Sequence, residues 1–112
     1  SGYKNIGKIH QDKALLEKAS LTQKKYIQES ELELNKARRQ FSDSKNQVEL
    51  TSLALEQSKE AFRITSNRFK QGLEKSTDLL YSETQYHEKE LEHAKAIFNY
   101  NFSKAYLKFL TI

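Results

Sequence analysis

The sequence predicts an all-α protein that folds as a long antiparallel coiled-coil helical hairpin. Three observations predict it. The 112 residues contain no proline and only 3 glycines, so little in the chain interrupts a helix. Large apolar residues recur at intervals of seven, which is typical of helices wound into a coiled coil. One internal glycine, Gly72, separates two such repeats.

The composition favours a narrow apolar seam over a thick globular core. Hydrophobic residues make up 37% of the chain and charged residues 30%, with a mean hydropathy of -0.84. The chain is nevertheless too rich in Leu, Ile, Phe and Tyr to be disordered. It has no cysteine, no apolar run long enough to cross a bilayer, and no signal-peptide apolar region at its start. We expect any such segment to lie outside this chain.

The net charge of +4 and the pI of about 9.2 raise the question of nucleic acid. Lysines and arginines are interleaved with glutamates in residues 1–40 and in residues 41–112, and they form no dense basic stripe. This pattern is typical of a solvated helix face, so we expect no nucleic-acid partner.

The first element is a long helix, predicted over residues about 4–71. Its seam is a series of large apolar residues spaced by seven, and the companion position three residues later is small. The large seam residues are Ile27, Leu34, Phe41, Val48, Leu55, Phe62 and Phe69. The small companions are Ser30, Ala37, Ser44, Thr51, Ser58 and Thr65.

A competing signal lies in the middle of this helix. Ser42-Asp43-Ser44 followed by Gln47 resembles a capping box, which could start a new helix near residues 42–46. The alternative fold is therefore a three-helix bundle. The unbroken repeat across this region favours a continuous helix.

A tip turn is predicted at residues 72–76 and a second helix at about 76–112. Gly72 suits the left-handed residue that closes a helix, and Ser76 or Thr77 can cap the next one. Asp78 then lies in the first turn, where a carboxylate favours the helix dipole. The second repeat comprises Thr77, Thr84, Leu91, Phe98, Ala105 and Ile112, with Leu80 and Ala94 at the companion position. We expect Leu80, Leu91 and Phe98 to belong to the coiled-coil seam.

The two predicted arms are unequal. A turn near residue 73 places residue 112 opposite roughly residue 34. The apolar residues before that point, such as Ile6, Ile9 and Leu16, then have no residue of the second predicted helix opposite them. We expect other subunits, further segments of a longer protein, or a fold-back to cover them.

The residues around the tip resemble a known family. Residues 67–73 (NRFKQGL), 76–80 (STDLL) and 94–100 (AKAIFNY) are similar to the second periplasmic hairpin of the TolC-like outer-membrane efflux proteins. The family's pattern there is aromatic-x-x-Gly-x-x-x-x-x-Asp-aliphatic-aliphatic, followed by spaced alanines and an aromatic-Asn-Tyr-like segment. Tyr81-Ser82 departs from the family's usual Asp/Asn-Ala.

The resemblance implies a trimeric channel for export, drug efflux or type I secretion. Residues 1–112 would be a periplasmic α-helical hairpin, excised from an outer-membrane protein of a Gram-negative-type bacterium. Its tip would dock onto a periplasmic adaptor (membrane fusion) protein, which links the channel to an inner-membrane transporter. The implied partner-binding residues are Gly72, Leu73, Glu74, Lys75, Ser76, Thr77 and Asp78.

Two other functions remain open at this point. The chain could be the hairpin of the periplasmic adaptor itself, or a generic coiled-coil scaffold. The Gly-x5-Asp turn and the Tyr-rich second arm favour the channel over the adaptor.

Catalytic and metal-binding patterns are weak. Glu90 and His93 have the Glu-x-x-His spacing of helical di-metal sites, but those sites need a second copy and further glutamates. No nucleophile–base set or phosphate-binding loop is present. We expect no enzyme activity, no metal and no cofactor.

Overall fold

The computed structural model describes residues 2–112 and consists of two helices. Helix α1 spans Gly2–Lys70 and helix α2 spans Ser76–Leu110, with no strand among these residues. The chain is therefore an all-α helical hairpin, as the repeat pattern predicts. The predicted bounds of about 4–71 and 76–112 differ from these by one or two residues at three of the four helix ends.

The three-helix alternative is wrong, because α1 runs without interruption through residues 42–46. The Ser44 hydroxyl, which would have belonged to the capping box, donates to the Phe41 carbonyl at 2.9 Å. A serine that bonds the preceding turn in this way is accommodated inside a helix and does not start one.

The chain divides into two compact units, one ending at Lys36 and the other spanning Ala37–Ile112. In the first unit, residues 2–36 are all part of α1, and every side chain except the half-buried Leu34 is exposed. Its exposed apolar residues include Ile6, Ile9 and Leu16. The second unit holds the rest of α1, the tip turn and α2.

In the second unit, α1 packs through the seam that the sequence predicts. Ala37 and Thr51 are buried, and the other seam residues from 41 to 65 are half-buried. Phe69, near the tip, is 39% exposed, and Ile27 in the first unit is 47% exposed. The half-buried members are Phe41, Ser44, Val48, Leu55, Ser58, Phe62 and Thr65.

The seam of α2 differs from the prediction. Leu80, Leu91 and Phe98 are 64%, 56% and 69% exposed, so their assignment to the seam is wrong. The buried and half-buried residues of α2 include a series at alternating spacings of three and four, which is the coiled-coil pattern in another phase. The series is Leu79, Ser82, Tyr86, Lys89, His93, Ala96, Tyr100, Ser103, Leu107 and Leu110.

Aromatic side chains meet where this less apolar face packs against α1. The α1 seam alternates large and small residues, and the α2 seam does the same except at Lys89 and Leu110. Phe41 stacks on Tyr100 with ring centroids 5.4 Å apart, and Phe62 stacks on Tyr86 at 5.9 Å. Such aromatic pairs add about 0.5–1.5 kcal/mol beyond the area they bury.

The apolar repeat of α2 consequently lies on the side of the helix opposite α1, because its members are half a heptad out of phase with the packed residues. We call this surface the outer stripe. It comprises Leu80, Leu91, Ala94, Phe98, Phe102, Ala105 and Phe109, all exposed.

Candidate partner-binding surface

The tip turn closes α1 with a Schellman motif. Gly72 has φ +77°, the left-handed conformation that glycine adopts without steric cost. The Leu73 amide donates to the Arg68 carbonyl at 2.9 Å, and the Gly72 amide donates to the Phe69 carbonyl at 3.0 Å. These two bonds satisfy carbonyls that the helix end would otherwise leave unpaired.

The residue that caps the start of α2 lies just before the two residues predicted for that role. Lys75 is the N-cap, with an extended backbone, and its carbonyl accepts the amides of Asp78 and Leu79 at 3.1 and 3.2 Å. No side chain caps this end among the described residues, so the prediction that Ser76 or Thr77 caps α2 is wrong. Nε of Arg68 donates to Oε1 of Glu74 at 2.9 Å, which joins the end of α1 to the turn, and Ser76 already lies inside α2.

The tip presents a mixed surface. Leu73 is 59% exposed, whereas Glu74 is half-buried by its ion pair with Arg68. The remaining predicted tip residues are all exposed: Gly72, Lys75, Ser76, Thr77 and Asp78. The structure therefore brings all seven predicted residues together at one end of the hairpin, with Leu73 as their only large apolar side chain.

A cleft of about 350 Å³ lies beside the tip on one side of the hairpin. Thr65 of α1 and Glu74, Asp78 and Tyr81 of the tip and α2 are among its lining residues. Its wall is therefore part of the tip surface, and it offers two carboxylates and a phenol next to small side chains.

A second cleft, of about 510 Å³, is lined by both charged and aromatic side chains. Phe62 and Tyr86 lie among the cations Lys59, Arg63 and Lys70. The Arg63 guanidinium donates from Nε to Oε2 of Glu60 at 2.9 Å, and this hydrogen bond holds the pKa of the Glu60 carboxyl below its ordinary value. Both side chains of the pair are exposed to water, so it contributes little to stability.

Glu90 and His93, which have the Glu-x-x-His spacing, interact with different residues. His93 Nδ1 lies 2.9 Å from the Thr51 hydroxyl across the seam, whereas Glu90 bonds Nδ1 of His87 at 2.8 Å. Glu90 and His93 therefore do not point at a common centre. Residues 2–112 contain no group of three metal-ligating side chains.

Comparison with known proteins gives no relative: no family model, no curated protein and no solved structure matches the chain. None of the helices between residues 2 and 112 combines the length and apolar character needed to cross a membrane.

Proposed function

We propose that this chain is a helical-tunnel segment of a trimeric outer-membrane export or efflux channel. The hairpin tip docks onto a periplasmic adaptor protein, which connects the channel to an inner-membrane transporter. The observation that carries this proposal is the exposed Leu73 at the end of a rigidly closed turn between two long helices.

Two further features support it. The Gly72 turn is fixed by backbone hydrogen bonds, so the tip has a defined shape without a partner, which lowers the entropic cost of docking. The outer stripe of α2 leaves a long apolar face that needs neighbouring helices, as a tunnel of many helices would provide. The same stripe would also suit a generic coiled-coil scaffold. The exposed Leu73 at the tip is therefore the feature that favours the channel over the scaffold.

The test is Leu73→Asp in the full-length channel. We expect the variant to lose adaptor association and drug efflux, because an exposed aliphatic contact is replaced by a charge. The free energy of unfolding should stay within about 0.5 kcal/mol of the parent value, as expected for a surface position. Gln57→Asp is the matched control, since it puts the same charge on an exposed polar position of α1 and should export normally.

A Leu73→Asp variant that is stable and exports normally would refute tip docking. Ready unfolding of the variant would instead show that Leu73 stabilises the end of its own hairpin. Loss of export in Gln57→Asp as well would mean that added charge anywhere on the hairpin is harmful.

A further inference from the structure

Helix α2 is divided into two halves of opposite charge. Residues 77–94 carry the carboxylates Asp78, Glu83, Glu88, Glu90 and Glu92 and a single lysine, Lys89, which gives a net charge of −4. Residues 95–112 carry Lys95, Lys104 and Lys108 and no carboxylate, which gives +3. The change of sign falls between residues 94 and 95.

The outer stripe runs along both halves. Its apolar residues repeat every seven, from Leu91 to Phe98 to Ala105, which is the pattern of a surface that another helix covers in a coiled coil. Phe98 and Phe102 stack with centroids 6.5 Å apart and are 69% and 63% exposed. Large aromatic side chains in a continuous exposed row mark an interaction surface.

We infer that the outer stripe of α2 pairs with the outer stripe of α2 in a second copy of this chain, in antiparallel orientation. In this arrangement the acidic half of each helix lies beside the basic half of the other. The contact is isologous, which means that one surface meets itself about a two-fold axis. Charge complementarity favours a second copy of α2 as the partner, in antiparallel orientation. A parallel pair would bring the two halves of charge −4 together and the two halves of charge +3 together.

The spacing of the stripe agrees with an axis between residues 94 and 95. About that point, Leu91 of one copy meets Phe98 of the other, and Thr84 meets Ala105. Glu83 then comes within a helical turn of Lys104 and Lys108 of the second copy. Apolar residues therefore meet along the middle of the pair, with opposite charges on its flanks.

This pairing does not rest on the channel proposal, since it uses only the exposed stripe and the charge pattern of α2. In a channel the same stripe would be covered by other helices of the assembly. The prediction concerns the 112-residue chain by itself, in which those other helices are absent.

The first test measures the mass of the chain by sedimentation equilibrium as a function of concentration. We expect a dimer, and we expect Phe98→Glu to weaken dimerisation by about tenfold or more, because it removes a buried aromatic residue and adds a charge. The matched control is Leu16→Glu, a substitution at a position that is 71% exposed in the first unit. It should leave the dimer intact.

A monomer at all concentrations would overturn the pairing. So would a dimer that Leu16→Glu abolishes and Phe98→Glu does not, because the apolar residues of the first unit would then be the interface. Circular dichroism checks that both variants keep the helical content of the parent chain.

The second test fixes the direction of the pair. The chain has no cysteine, so Thr84→Cys and Ala105→Cys each introduce a single thiol on an exposed position of the outer face. The antiparallel pair predicts that a short thiol crosslinker joins Thr84→Cys to Ala105→Cys in a mixture, and joins neither variant to itself. Crosslinks of each variant to itself, with none between the two, would show a parallel assembly and overturn the inference.

Discussion

Gly72 is the residue on which the hairpin depends. It is the only residue with positive φ among the described residues, and both hydrogen bonds of the Schellman motif require that conformation. A Cβ placed on Gly72 meets no atom within 4 Å, so the need for glycine comes from the backbone and not from crowding. The sequence alone predicts this role, because a single helix breaker between two heptad repeats marks the place where one helix ends and the next begins.

We expect Gly72→Ala to lower the free energy of unfolding by about 1–2 kcal/mol, the cost of a left-handed backbone in a residue with a Cβ. Urea denaturation at fixed protein concentration measures it. Gly7→Ala is the control, because Gly7 is helical with open space around it, and the change should be neutral or stabilising by up to about 1 kcal/mol. An unchanged stability of Gly72→Ala would mean that the tip does not need its left-handed residue.

At the scale of the elements, the sequence predicts α1 well and α2 only in part. In α1 the seven-residue repeat from 34 to 62 coincides with half-buried residues, so periodicity identifies this part of the seam, although other large apolar residues such as Leu50 remain exposed. In α2 they separate: the seam holds Ser82, Lys89 and His93, whereas Phe98 and Phe102 remain exposed. The hydrophobicity of a helix face indicates how strongly that face favours burial. It does not indicate which neighbouring helix covers the face. The packed residues also form a seven-residue series, Leu79, Tyr86, His93, Tyr100 and Leu107, and this is the signal that could have identified the correct face.

A hydrogen bond across the seam joins the helices near the middle of α2. The Thr51 hydroxyl lies 2.8 Å from the Gln47 carbonyl and 2.9 Å from Nδ1 of His93, so it can bond its own helix and α2 at the same time. Thr51 is only 6% exposed, and His93 is half-buried. A side-chain hydrogen bond between the two helices at one level of the seam favours one register of the pair.

We expect Thr51→Val to lower the free energy of unfolding by about 1 kcal/mol, since the partly buried Nδ1 of His93 then loses its hydrogen-bond partner. The double variant Thr51→Val/His93→Leu should recover most of that loss, because both polar groups are removed together. Denaturation of Thr51→Val, His93→Leu and the double variant gives the three free energies of a double-mutant cycle. Strictly additive losses would show that the two side chains are not coupled.

For the whole molecule, the tip could be predicted from sequence and the outer stripe could not. The tip residues follow each other in the chain, so a local motif brings them together whatever the rest of the fold does. The stripe is recognised as a surface only when α1 is seen to occupy the other face of α2. Periodicity groups its residues into the right repeat, but only the packing of the two helices shows that α1 is not their neighbour.

We propose that the tip of this hairpin binds a periplasmic adaptor, and photo-crosslinking in bacteria detects such a contact in place. A photoreactive amino acid replaces Leu73 in the full-length protein, and a second variant carries it at Gln57 as the control. We predict that the Leu73 variant forms a crosslink to a membrane-anchored periplasmic protein that also co-purifies with an inner-membrane transporter, and that the Gln57 variant does not. Crosslinks from Leu73 only to copies of the same chain, only to cytoplasmic proteins, or to nothing would contradict the claim.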